Sequence, residues 1–261
     1  MPRARELAGT LGRGYVAIAV ARLTAVRIAD RLERALLSIE GRRGVLGPAH
    51  ERHADHSAAR NRELFSDYDW QGMGEEWSAS AEWKAALVAE VLEPNVPEGS
   101  TTLEIGPGAG RWSEVLRDRV AKLILVDVAE RALELTRERL GEDGDVEYVR
   151  SSGSTLPGVP DGSVDAVWSY DVFVHVAPTD VDGYLAEIAR VLRPGGTAVI
   201  HHSGARRAHG WRSPMSATLF ASLAGDRGLE IQRQFSTWGD GRFSVPVEGR
   251  GHDVISVLRL P

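Results

Sequence analysis

The sequence predicts an open, doubly wound α/β sheet, mostly parallel, behind a helical N-terminal extension. Three observations carry this. From residue 80 onward, short apolar runs alternate with amphipathic runs of helical period, the pattern of a parallel sheet covered on both faces. The first apolar run, Leu103 to Ile105, ends in Gly106, Gly108 and Gly110 and is followed at once by a helical run. The last two apolar runs are joined without a helix, which makes them an antiparallel pair at the sheet edge.

Composition narrows the classes. At 261 residues the chain suits one large domain, or one domain with an extension. With 43% hydrophobic and 26% charged residues it has the composition of a globular protein. A net charge of −6 speaks against a general nucleic-acid binder. The absence of cysteine excludes disulfides, thiolate nucleophiles and zinc–thiolate sites. Arg3, Arg5 and Arg13 precede an apolar run from Tyr15 to Ala21, a superficial likeness to a secretory signal. That run is far short of the roughly 20 residues of a membrane span, and arginines resume at Arg22. A cytoplasmic protein with no membrane partner is expected.

Residues 1–79 read as the extension or cap, and 80–261 as the main domain. Ile28, Leu32, Ala35, Leu36 and Ile39 recur at helical spacing, a face for the main domain or for a second copy of the chain. Glycines and Pro48 break that helix. His50, His53 and His56 follow at a spacing that raises a metal site, but no carboxylates complete it and solvated histidines are the simpler reading. Trp70 and Trp77 sit just before the main domain, where a tryptophan can cover a ligand or simply pack.

The expected elements of the main domain begin with helix 80–92, strand 101–105 and helix 111–120. Strand 122–128 and helix 129–140 follow, then strand 146–150, a Ser/Gly loop and strand 164–170. A helix starts near Thr179 on a capping-box-like T-x-x-D. Arg193-Pro194-Gly195-Gly196 turns the chain into strand 197–202. Helix 215–224 and strands 229–238 and 254–260 complete it.

The glycine turn is the candidate ligand site. Glycine serves where φ must be positive or where a ligand must approach bare backbone, and N–H groups at a helix start face whatever binds there. The spacing separates two ligands. A dinucleotide fingerprint needs its third glycine at 111, which is Arg111; the chain reads G-x-G-x-G, preceded by Glu104. This resembles motif I of class I S-adenosylmethionine-dependent methyltransferases.

The likeness runs over about residues 80–260. It implies a Rossmann-like, seven-stranded sheet with an antiparallel last strand, S-adenosylmethionine as cofactor and S-adenosylhomocysteine as product. In that family an acidic residue ending the second strand accepts from both ribose hydroxyls; here it is Asp127, followed by Val128. The loop after the third strand holds the adenine, implying Ser152, Gly153 and Ser154, with Ser152 where the family often has an aspartate. Leu192-Arg193-Pro194-Gly195-Gly196 matches the family's turn before the fifth strand. Glu104, Gly106, Pro107, Gly108, Gly110 and Ser169 complete the implied cofactor set.

Methyl transfer from a sulfonium is an in-line displacement, so positioning dominates. A hydroxyl acceptor also gains from a general base. Candidates lie at the C-terminal ends of strands four and five, where ligands sit in open α/β sheets. These are Tyr170 and Asp171, and the pair His201-His202, favoured as the base. Metal binding by His201, His202 and His252 ranks low. His175, Trp211, Arg212 and Met215, with Trp70 and Trp77, are candidate acceptor contacts. The expected activity is O-methylation of a small, sugar-bearing or aromatic metabolite, with a homo-oligomer through the N-terminal helices as a further expectation. Methylation of an amine or electron-rich ring such as indole, which needs less base, is the first alternative. A non-catalytic cofactor-binding module is the second.

Overall fold

Strand β1 (Thr101–Ile105) and strand β2 (Lys122–Asp127) are buried along nearly their whole lengths, as central parallel strands are; β2 is apolar from Leu123 to Val126, while β1 also buries Thr102 and Glu104. Around them the computed structural model, which describes residues 55–141, 144–204, 212–245, 247–248 and 251–261, builds a mixed sheet. Its other strands are β3 (Val146–Arg150), β4 (Val164–Phe173), β5 (Leu192–Ser203), β6 (Glu230–Phe235) and β10 (Gly251–Arg259), with the short β7 (Thr237–Trp238) and β8 (Phe243–Ser244) paired apart from it and β9 (Val247–Glu248) paired to β10.

The sheet order is β3-β2-β1-β4-β5-β10-β6. The first five strands are mutually parallel, and β10 runs antiparallel between β5 and β6. The expected antiparallel pair is therefore present, with β6 outermost. Strand order reverses at β1, between β2 and β4. Loops leaving β1 and β4 diverge there and open a crevice at the carboxyl ends of the strands.

Helices α1 (Ala58–Ser66), α2 (Ala81–Leu87), α3 (Ser113–Arg117), α4 (Glu130–Leu140), α5 (Pro178–Val191) and α6 (Ala217–Asp226) connect and cover these strands. Serine caps start three of them: Ser57, Ser80 and Ser216 accept from the amides of Arg60, Trp83 and Leu219. Helix α2 ends in a turn of π geometry, Val88–Leu92. Helix α5 departs from the expected Thr179 cap. It begins on Pro178, whose missing N–H costs nothing in a first turn. Asp180 then accepts from the Ala58 amide at 3.2 Å, tying α5 to the start of α1.

Residues 55–79 belong to the compact unit Pro48–Pro261 and wrap the mouth of the crevice. The N-terminal helical pattern, His50 and His53 lie outside the described residues. Among the described residues no helix is long and apolar enough to cross a membrane, and no three His, Asp or Glu side chains gather as metal ligands.

Candidate active site

The crevice at the switch point encloses about 800 Å³, including its open mouth. Its floor is the glycine turn. Gly106, Gly108 and Gly110 all have positive φ, at 72°, 58° and 88°. Two of these are also steric requirements: a Cβ on Gly106 would come within 2.3 Å of Val172, and one on Gly108 within 2.8 Å of the Trp70 ring. Gly110 instead packs on Thr136 and Arg139 of α4, so it shapes the turn rather than facing the crevice.

One wall carries Val126, Asp127 and Val128 from the end of β2, with Gly153 and Tyr184 beyond them. Asp127 Oδ1 accepts from the Ala129 amide at 2.9 Å and Oδ2 from the Gly108 amide at 3.4 Å. Burial pushes its carboxyl up to about 6 despite those bonds. The opposite wall carries Tyr170, Asp171, Val172 and His175 from the end of β4 and the loop beyond. Asp171 forms a buried ion pair with Arg111, 2.5 Å to Nη2, and its Oδ1 lies 3.1 Å from His201 Nδ1. Burial opposes its charge, but His201 and Arg111 prevail and hold the carboxyl well below the usual carboxylate range.

The roof is aromatic. Trp70 meets Tyr68 and Trp77 edge-on or tilted at 4.9 and 5.6 Å between centroids, and Phe65 leans on Trp70 and His175. Trp70 Nε1 donates to the Phe65 carbonyl at 3.2 Å. Asn61 of α1 donates to the His175 carbonyl at 3.0 Å, fixing that loop from above. Ala58 presses on Gly153, where a Cβ would come within 2.1 Å.

The geometry sorts the expected residues. Gly106, Pro107, Gly108, Asp127, Val128, Gly153, Tyr170, Asp171, His175, Trp70 and Trp77 share this crevice. Of the other expected residues, those described do not line it. Glu104 is buried beneath the turn, where Ser113 donates to its carboxyl at 2.5 Å. The Ser169 hydroxyl donates to the Ile105 carbonyl, pinning β4 to the end of β1. Ser152 is exposed, sharing a hydrogen bond with Thr155, and Ser154 packs against Gly183.

His202, expected as a base, is withdrawn from the crevice. Its ring stacks on Phe220 of α6, Nδ1 donates to the Ser203 carbonyl and Nε2 accepts from Ser256. Burial drives it down to about 3. His201 is wholly buried behind Tyr170, whose ring stacks on it at 4.3 Å, and reaches the crevice only through Asp171. Arg212 pairs with Asp253 at 2.9 Å and Met215 is core, so neither faces the crevice. Trp211 and the side chain of His252 lie outside the described residues.

Sequence reasoning passed over Arg111, Asn61, Phe65 and Tyr184 as crevice residues. Arg111 was legible as a charge directly after the turn. Its guanidinium lies 4.9 Å from the Trp112 ring and 5.8 Å from Trp77. Asn61 and Phe65 come from α1, a helix with no clear apolar period of its own.

Glu104 carries a testable consequence. Burial raises its carboxyl from 4.5 to about 8, against the Ser113 bond and nearby Arg111. The folded chain thus holds a proton that the unfolded chain releases near pH 4.5. Stability is full at low pH and falls as pH climbs from about 4.5 to 8. Glu104→Gln keeps an uncharged acceptor for Ser113 and is expected to stabilise the protein by up to roughly 3 kcal/mol at pH 7, and by little at pH 4.5. Thermal denaturation of both proteins across that range checks it; an equal Tm at pH 7 and above contradicts it.

Comparisons with known proteins bear on the family and the fold. A methyltransferase domain model matches residues 103–200. A protein of Mycolicibacterium vanbaalenii described as an uncharacterized methyltransferase is 31% identical over 217 residues, covering 76% of this chain and 80% of that protein. The ubiquinone/menaquinone biosynthesis C-methyltransferase UbiE of Escherichia coli is 30% identical over 155 residues, 57% of each chain. A methyltransferase of Claviceps purpurea is 37% identical over 97 residues, and the chain spans only 29% of its length. Among solved structures, a SAM-dependent methyltransferase from Aquifex aeolicus superposes with a TM-score of 0.56 at 20% identity, over 75% of this chain and 100% of that one. That likeness speaks for the fold.

Proposed function

The chain belongs to the class I S-adenosylmethionine-dependent methyltransferases, and from that premise we propose that it transfers the methyl group to an oxygen of a small, sugar-bearing or aromatic acceptor. One observation carries the reading. A single crevice joins the glycine turn, Asp127 and Gly153 to Asp171, His175 and an aromatic roof. The donor set fits S-adenosylmethionine. Asp127 retains acceptor capacity for two ribose hydroxyls, and Val128, Gly153 and Tyr184 offer a flat slot for adenine. The cofactor supplies an activated methyl on a sulfonium; the chain's task is to orient and enclose.

Residues 55–79 act in this reading as the cap that excludes water. Trp70 and Trp77 present flat apolar faces to the acceptor. Asp171, kept ionised by Arg111 and His201, is a strong acceptor of hydrogen bonds but a weak base, so it orients rather than deprotonates. His175 takes over the base role expected of His201 or His202. Among the described residues it is the imidazole in the crevice wall, and imidazole is a side chain able to take a proton from a hydroxyl acceptor.

Carbon methylation is the second reading, favoured by the likeness to UbiE and by a crevice in which positioning outweighs base chemistry. Incubating the protein with methyl-labelled S-adenosylmethionine and a panel of phenols, glycosides and quinols decides between them. The expected product carries the label on oxygen. Label on ring carbon favours the second reading, and no transfer to any acceptor with cofactor binding intact favours a non-catalytic module.

A further inference from the structure

We propose that Asp253, on the antiparallel strand β10, is a positioning residue for the crevice: it keeps the Nε2 proton on His201, and so frees Nδ1 to hold the Asp171 bulge. The inference deepens the proposed function and rests on that reading for the identity of the ligand alone.

Ser169 pairs with Ile200, and pairing resumes at Phe173 with His202. Four steps on β4 thus face two on β5, and the surplus bulges into the crevice. Within it Asp171 adopts φ 62°, left-handed for a residue with a side chain. Its amide has no strand partner and instead donates to His201 Nδ1 at 3.1 Å. The same nitrogen lies 3.1 Å from Asp171 Oδ1. One nitrogen cannot accept from the amide and donate to the carboxylate together.

A neutral ring that accepts at Nδ1 must carry its proton on Nε2. Nε2 faces Asp253 Oδ2 at 3.6 Å, and Arg212 Nη2 sits 2.9 Å from that oxygen on the far side. A charged ring bears both protons, with Nδ1 donating to Asp171 Oδ1. In either form Nε2–H faces Asp253, and only the Nδ1 proton comes and goes. The groups facing the ring are Asp171 and Tyr170 from β4, with Arg111 beyond, and Asp253 from β10, with Arg212 beyond. Burial opposes charge on His201, yet the two carboxylates prevail and raise its affinity for the second proton.

Asp253 acts here through its charge. At 3.6 Å it makes no hydrogen bond to Nε2, and both atoms are buried without a hydrogen-bond partner. Without it the Nε2 proton loses the negative charge that favours it. The Nδ1–H tautomer then becomes the better neutral form, and the Asp171 amide loses its own acceptor. The cost appears at the crevice above the His201 midpoint, where the wild-type neutral ring accepts from the Asp171 amide and the variant's ring does not; below it the charged ring of either protein bonds Asp171 Oδ1 alone.

Histidine ¹⁵N spectra test this directly, with the His201 signals assigned by their loss in His201→Gln. The wild-type ring is expected as the Nε2–H tautomer when neutral, with Nδ1 titrating. Asp253→Asn is expected to lower the His201 midpoint by about one pH unit and to weaken S-adenosylhomocysteine binding about tenfold. An Nδ1–H neutral ring in the wild type overturns the proposal, as does an unmoved midpoint in folded Asp253→Asn. If that variant does not fold, the wild-type tautomer alone decides. Failure of the wild type to bind S-adenosylhomocysteine sinks the proposed function instead, and leaves the His201 spectrum to judge the relay.

Discussion

Asp127→Ala is expected to weaken S-adenosylmethionine binding by about 10²–10⁴-fold, beyond the range of routine calorimetry, while the protein remains folded. The carboxylate sits at the end of β2 with each oxygen already held by one amide, those of Ala129 and Gly108. Those bonds aim it and leave lone pairs for two hydroxyls. Hydrogen bonds to a charged group contribute about 1.5–3 kcal/mol each, so losing two costs about 3–6 kcal/mol. The variant also orphans the Gly108 amide on the floor of the crevice. Asp127→Asn, which keeps the shape and removes the charge, should fall between. An Asp127→Ala affinity within tenfold of wild type would take Asp127 out of the cofactor site.

His175→Gln is expected to slow transfer to an oxygen acceptor by about 10²–10⁴-fold in kcat, with the KM for cofactor little changed. The substitution separates chemistry from structure because the loop is held by its backbone. The His175 carbonyl accepts from Asn61 at 3.0 Å and lies 3.2 Å from His56 Nδ1, and its amide donates to the Val172 carbonyl. Steady-state rates at saturating cofactor read the effect. A loss below tenfold on an oxygen acceptor returns the balance to positioning by Asp171 and favours a carbon or nitrogen acceptor. His202→Gln is the contrast. It disturbs the bonds to Ser203 and Ser256 under α6, so it should lower Tm and leave the rate of the folded protein close to wild type.

The side of the crevice built on the glycine turn and Asp127, proposed here for the cofactor, was legible as a surface because its determinants are local. Each of Gly106, Gly108 and Asp127 acts within a few residues of a strand end, where apolar period and turn chemistry are both written in the chain. The acceptor half depends on contacts far apart in sequence. Side chains alternate along a strand, and His201 and His202 accordingly fall on opposite faces of β5. That alternation could not show that β4 would bulge after Ser169 and cover His201 with Tyr170 and Asp171. Arg212 fits an acceptor contact only until β10 brings Asp253 to it. Helix α1 escaped for the same reason. Its anchors are Gly153 and Asp180, more than 90 residues away, and its own nine residues carry no strong apolar stripe. Ser152 followed the family's usual aspartate position, but its side chain bonds to Thr155 at the surface.

An S-adenosylmethionine site built on the glycine turn and Asp127 is expected to show in calorimetric titration of the wild type with S-adenosylhomocysteine between pH 5 and 8. Burial raises the Asp127 carboxyl to about 6, and the ionised form is the one that accepts from both hydroxyls. The expected result is one site per chain, constant affinity above pH 7, and a loss approaching tenfold per pH unit below about 6. No heat at pH 7.5, or heat from NAD in its place, would contradict it.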